Sequence, residues 1–156
     1  MHQAEWIANI VPVPEKDGKV RMCVDFRDLN KACLKDDFPF PHIDVLVVNT
    51  AGSALMSFMD GFLAYNQIKM APEDMTKTTF TIEWEIYCYI MMPFGLKNAG
   101  ATYQRKATAL LHDIMHNEVE VYVDDMIVKS KDRKGHITNL KKSFERIKEY
   151  RLRLNP

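Results

Sequence analysis

Cysteine is scarce in this sequence: there are three in 156 residues, far apart at Cys23, Cys33 and Cys88. An odd and scattered set excludes a disulfide framework, and without a C-x-x-C pair it offers no structural zinc site. Long hydrophobic runs are missing too, so no segment predicts a bilayer-spanning helix. The first stretch, MHQAEWIANIVPVP, lacks the basic start and continuous apolar core of a secretory signal. These absences predict an intracellular protein with no membrane partner. There are no internal repeats and no low-complexity tracts, which excludes solenoids and disordered linkers.

What is present suits one domain, or one domain with a small lobe. The chain is 47% hydrophobic and 27% charged, enough apolar material for a core. The formal charge is zero but unevenly spread. Residues 129–156 hold ten Lys/Arg against three Asp/Glu, and residues 1–128 hold eleven against eighteen. A basic end on an acidic body attracts polyanions locally; a solvated helix face is the plainer reading of the same charges.

Trp6–Pro14 and Val20–Phe26 read as two strands around the polar turn Glu15–Lys19. Asp36–Phe40 is proline-broken and extended, His42–Gly52 a short helix, and Ala54–Asp60 an apolar strand ending in a carboxylate. Pro72 stands at a first helical position, and Thr79–Ile82 and Tyr87–Met92 read as strands. A helix starts near Asn98, with Tyr103, Ala107, Leu110, Leu111 and Ile114 near one face. A second places Leu140, Phe144 and Ile147 at helical spacing among basic residues. The mixture has no strict βαβ repeat and predicts an α+β fold, with helices packed on one face of a mostly antiparallel sheet.

The stretch EVEVYVDDMIVKS, Glu118–Ser130, sets two carboxylates, Asp124 and Asp125, between two apolar strands. Asp is a common turn residue, and a tight hairpin turn alone accounts for the pair. Alternatively the turn holds a cation, since adjacent carboxylates repel unless one is bound. Mg²⁺ favours hard oxygen ligands, often one or two carboxylates plus phosphate oxygens. Asp60, at the end of its strand, is the candidate third carboxylate, and with Asp124 it would hold two ions roughly 3.5–4 Å apart. His112 and His116, four apart in HDIMH, have zinc spacing but lack the glutamate of H-E-x-x-H, and a solvated helix face is the better reading.

The motif Tyr122–Asp125, YVDD, resembles the Y-x-D-D box of reverse transcriptases, and three further segments follow that family's order. Val20–Lys31 resembles the fingers segment, Phe58–Ile68 the motif with the first catalytic aspartate, and Met92–Arg105 the segment before the palm helix. The wording is similar to gypsy-type LTR retrotransposons, especially plant ones. The resemblance implies a right-hand polymerase palm with partial fingers: one domain fragment over 1–156, fingers-like at about 1–53 and 69–92, palm-like at 54–68 and 93–156. It implies an RNA-directed DNA polymerase that adds dNTPs to a primer on an RNA or DNA template, with two Mg²⁺ ions or Mn²⁺ in their place.

By the same resemblance Asp60, Asp124 and Asp125 form the catalytic triad, with Gly61 adding a backbone carbonyl to the metals. Tyr65 is the steric gate against a ribose 2′-OH. Arg21 clamps the triphosphate and Lys16 is a second phosphate contact. Leu63 and Ala64 lie where backbone amides approach the phosphates, and Phe94 and Gly95 lie under the nucleotide. Lys97 and Gln104 are template–primer contacts, and Tyr122 and Val123 lie near the primer terminus. Thumb, connection and RNase H, partners within an intact polyprotein, are expected outside this stretch. Glu15 stands where relatives carry a basic residue beside the triphosphate path, so weaker dNTP binding is expected; Glu85 stands where a hairpin glycine is usual, so strain is expected in that turn. These departures leave an alternative, a non-catalytic, truncated retroelement remnant that binds nucleic acid weakly at most.

Overall fold

The computed structural model describes residues 6–61 and 64–155. The chain divides into two compact units, Met1–Lys35 with Ile68–Ala99, and Asp36–Gln67 with Gly100–Pro156.

In the first unit, β1 (Asn9–Pro14) pairs antiparallel with β2 (Val20–Asp25), in register from Asn9↔Asp25 to Pro14↔Val20. A two-stranded sheet tolerates Pro12 and Pro14, because each strand has one edge that needs no donor. The turn closes with Glu15 N–H donating to Lys19 O at 2.7 Å, and Gly18 takes φ +82°. A short helix that the sequence pattern does not announce, α1 (Arg27–Ala32), follows at once. Helix α2 (Ile43–Thr50) and strand β3 (Leu55–Asp60) belong to the second unit. The chain returns to the first unit with α3 (Pro72–Met75) and the antiparallel pair β4 (Phe80–Ile82) and β5 (Glu85–Tyr87). Phe26, Leu29 and Met92 are buried here, and Phe80 lies against Tyr87 and Tyr89 at centroid distances of 5.9 and 5.3 Å.

Two expectations need correction in this unit. The strand expected over Tyr87–Met92 ends at Tyr87, because its partner β4 is only three residues long; Met91 makes one isolated bridge to Lys69. The strain expected at Glu85 falls on Glu83, which takes φ +50° in the turn, while Glu85 is already in the strand.

The second unit is built on a three-stranded antiparallel sheet of order β3-β7-β6, with β6 spanning Val119–Tyr122 and β7 Asp125–Ser130. Val119, Val121, Met126 and Val128 are buried on one face of the sheet, and Glu120 and Lys129 are buried on the other. Helix α4 (Ala99–Leu111) supplies Tyr103, Ala107 and Leu111 to that core. Helix α5 (Arg133–Glu149) buries Ile147, begins with Asp132 accepting a 2.8 Å hydrogen bond from Gly135 N–H, and ends with Arg146 and Lys148 where the helix dipole favours cations. Because α4 stops at Leu111, His112 and His116 do not share a helix face; His116 takes φ +66° in the connecting loop. Among the described residues no helix is long and apolar enough to cross a membrane.

Candidate active site

The β6–β7 connection is as short as a hairpin allows: Tyr122 pairs with Asp125, leaving Val123 and Asp124 as the loop. Two-residue hairpins require a positive φ, for which glycine is the usual solution. Here Val123 takes φ +51°, an outlier for a β-branched residue that costs on the order of 1–3 kcal/mol. Gln104 of α4 holds it there. The Gln104 side chain is fully buried; its Oε1 accepts from Val123 N–H at 2.7 Å and its Nε2 donates to Val121 O at 3.2 Å. Both ends of one carboxamide thus hold the hairpin backbone. The expectation for Gln104 was a template–primer contact; the structure instead places it beneath the turn, with no accessible surface.

Strand β3 pairs with β7 so that Asp60 lies opposite Asp125, and Gly61 N–H donates to Asp124 O at 3.0 Å. Directly opposed residues share a face of the sheet, so register alone sets two carboxylates side by side, with the third at the adjoining turn. Asp60 and Asp125 are exposed and Asp124 is half-buried. Asp124 Oδ1 is buried and has no hydrogen-bond partner. Burial, then Asp60, then Asp125 push the Asp124 carboxyl above its ordinary value. Tyr103 is pushed up to about 12 by burial and by Asp124, Asp60 and Tyr65, and Tyr65 is raised by burial and Asp124. The two tyrosines meet edge to face at 6.0 Å. Tyr65 rides on a single 3₁₀ turn, Ala64–Gln67; Leu63 lies outside the described residues.

Among the described residues, no group of three or more His, Cys, Asp or Glu side chains is disposed to hold a metal ion. The carboxylates nevertheless fit a divalent cation. A buried carboxylate oxygen without a donor, beside two more negative charges, is an arrangement that a hard cation would stabilise.

The remaining expected residues belong to the first unit. Lys16 is in the β1–β2 turn and Arg21 on β2. Arg21 forms a 2.5 Å ion pair with Glu15, so the residue expected to meet phosphate meets a carboxylate. Phe94 is half-exposed, and Gly95 takes φ +93°. The Lys97 ammonium donates to Cys33 O at 2.8 Å. Asn30, which the sequence reading did not single out, fastens this loop by donating to Gly95 O at 2.7 Å and accepting from Lys97 N–H at 2.7 Å. Gln67 and Asn155 were missed as well. Gln67 shares the 3₁₀ turn of Tyr65 and Asn155 lies beside Asp60, and only the fold brings residue 155 to residue 60.

A family model described as reverse transcriptase (RNA-dependent DNA polymerase) matches residues 13–156. The chain is 30% identical over 149 residues to the retrovirus-related Pol polyprotein from transposon 297 of Drosophila melanogaster, covering 96% of this chain and 14% of that one. Its structure is similar to native prototype foamy virus protease-reverse transcriptase, with TM-score 0.80 and 26% identity, over 96% of this chain and 20% of that one. The foamy viral protease-reverse transcriptase in complex with RNA/DNA hybrid gives TM-score 0.81 and 25% identity, over 92% and 19% of the two chains.

Proposed function

We propose, for a chain that belongs to the reverse transcriptase (RNA-dependent DNA polymerase) family, that it carries the polymerase centre of a retrotransposon polyprotein and adds dNTPs to a primer annealed to RNA or DNA. One observation carries the reading: the β3–β7 register that sets Asp60 beside Asp125, with the unpartnered Asp124 oxygen at the adjoining β6–β7 turn. Asp60, Asp124, Asp125 and the Gly61 carbonyl are the groups that would hold two Mg²⁺ ions, or Mn²⁺. Metal ions bound there supply an activated primer hydroxyl and neutralise charge on the triphosphate.

The chain's own residues divide the remaining work. Tyr65, stiffened by its contact with Tyr103, walls the sugar and disfavours a 2′-hydroxyl. Arg21 and Lys16 bind phosphates, the former once released from Glu15; a guanidinium suits this because its donors are forked and its charge permanent. Backbone at Ala64 approaches the phosphates, Phe94 and Gly95 floor the nucleotide, and Lys97 contacts the template–primer. Gln104 keeps Tyr122 and Val123 in place beneath the primer end. On this reading residues 1–53 and 69–92 serve as fingers and 54–68 and 93–156 as palm. The gypsy-type origin rests on motif wording. Thumb and RNase H segments of the polyprotein would complete the grip on nucleic acid.

The Glu15–Arg21 pair favours a second reading, a non-catalytic remnant, since it occupies the phosphate-binding cation. Primer extension on a primed homopolymer RNA, with Mg²⁺ or Mn²⁺, separates the two. Extension by the parent and none by Asp124→Asn supports the polymerase. A folded parent that extends nothing supports the remnant, and equal extension by both chains refutes the site.

A further inference from the structure

Residues 153–155 form a strap across the Asp60 end of β3. The Gln67 carboxamide grips Arg153 at two points, Nε2 donating to Arg153 O at 3.0 Å and Oε1 accepting from Arg153 N–H at 2.6 Å. Leu154 makes an antiparallel bridge with Gly61. Asn155 N–H donates to Asp60 O at 2.9 Å, and Asn155 Nδ2 lies 3.3 Å from Asp60 Oδ2. On its other side Asp60 pairs with Asp125 of β7. The Asp60 backbone is therefore paired on both flanks, and one oxygen of its exposed carboxylate has a neutral donor.

We infer that Asn155 is a positioning residue for Asp60, orienting the carboxylate by its amide and leaving the other oxygen to a divalent cation. The inference rests on the proposal that Asp60 is a metal ligand. Its physical basis is local. An exposed Asp beside Asp124 and Asp125 is repelled by both, and its free rotamers would swing the charge outward into water. A donor on Oδ2 opposes that swing. The donor must also be neutral: Lys or Arg at this position would hold the same oxygen but would place a competing cation beside the metal. An amide orients without neutralising. Partners of this kind typically change metal affinity on the order of 10-fold when removed.

Mn²⁺ binding to the whole 156-residue chain, followed by loss of the free-ion electron paramagnetic resonance signal, tests this without reference to catalysis. Asn155→Ala should weaken Mn²⁺ binding on the order of 10-fold, with an unchanged thermal midpoint. Asn155→Gln, which keeps the donor, should recover most of that loss. Asp60→Asn should remove the site. If Asp60→Asn loses the ion while Asn155→Ala binds it like the parent, the positioning role is overturned and the metal site stands. If Asp60→Asn binds like the parent, the metal reading falls and the inference falls with it. Equal weakening in Asn155→Ala and Asn155→Gln, with a lowered midpoint in both, assigns Asn155 to the strap's stability alone and overturns the positioning role.

Discussion

Lys129→Met should be among the most damaging single changes in the second unit, although position 129 lies outside the proposed chemistry. The Lys129 side chain is 6% exposed and that of its partner Glu120 is 1% exposed. All three ammonium protons have acceptors: Glu120 Oε1 at 2.7 Å, Asn49 O at 2.6 Å and His116 O at 2.8 Å. Glu120 Oε2 lies 3.0 Å from His116 Nδ1. The group joins α2, the loop after α4 and both strands of the hairpin that carries Asp124 and Asp125. A buried pair satisfied this fully roughly offsets its own desolvation, so its presence adds little net stability. Removing one partner is different. Methionine fills the lysine stem's volume but leaves a buried carboxylate and two carbonyls without their donor, a loss of about 3–5 kcal/mol.

Urea denaturation followed by far-ultraviolet circular dichroism reads this directly. The loss should persist at about 1 M salt, because buried charges are screened little. Glu120→Leu combined with Lys129→Met removes both charges and should recover at least about half of the single-mutant loss. A Lys129→Met loss below about 1 kcal/mol, the scale of an exposed pair, would refute the reasoning. So would a double variant as unstable as the sum of the two single ones.

Two further outcomes follow from charges at the proposed site. Glu15→Gln releases Arg21 from an exposed ion pair worth about 0.2–1 kcal/mol, so the dNTP KM in primer extension should fall by up to about fivefold; an unchanged or higher KM would remove Arg21 from the phosphate path. The Asp124 carboxyl is held above its ordinary 3.8 by burial and by Asp60 and Asp125, so the folded chain binds that proton more tightly than the unfolded one. Ionising Asp124 therefore costs stability: the cost is absent below the ordinary value, grows as pH rises towards the raised one, and is full at neutral pH. Asp124→Asn should be more stable than the parent at neutral pH, by a margin that shrinks on acidification and on adding a divalent cation, which stabilises only the parent. Thermal unfolding across pH checks this, and a margin independent of pH would refute it.

Much of this was legible from residue order because the second unit obeys simple periodicities. Alternation in Val119–Val128 marked two strands, and the aspartate pair marked their turn one residue late, since the loop is Val123–Asp124 and Asp125 begins β7; Asp60 was marked by ending an apolar strand. The register that sets Asp60 opposite Asp125 is then the one that buries the alternating face. What stayed hidden were polar residues whose surroundings come from distant segments. Glu120, between Val119 and Val121, reads as the solvent side of a strand, yet Lys129 and the end of α2 cover it. Gln104 reads as the polar face of a helix until the hairpin closes over it. The Glu15–Arg21 pair was legible as an awkward charge near a phosphate path, but the attachment of the two residues needs the β1–β2 register.

The turn itself argues most strongly that this geometry serves chemistry. Among the described residues, four other than glycine take positive φ: Glu83, His116, Val123 and Arg151. Glu83, His116 and Arg151 are exposed, with flexible or polar side chains. Val123 differs in being β-branched, the type least suited to that backbone, at a position where glycine would close the same hairpin without strain. Folding gains nothing from this choice, and it gains nothing from a buried, unpartnered carboxylate oxygen on the next residue. Two adjacent costs share one structural effect. Gln104, bonded from below to the backbone of Val123, holds the turn that carries Asp124 in one conformation. On the proposed reading that turn keeps Asp124 among like charges that a cation would relieve, and strain held at such a point fits a site whose geometry matters more than its stability.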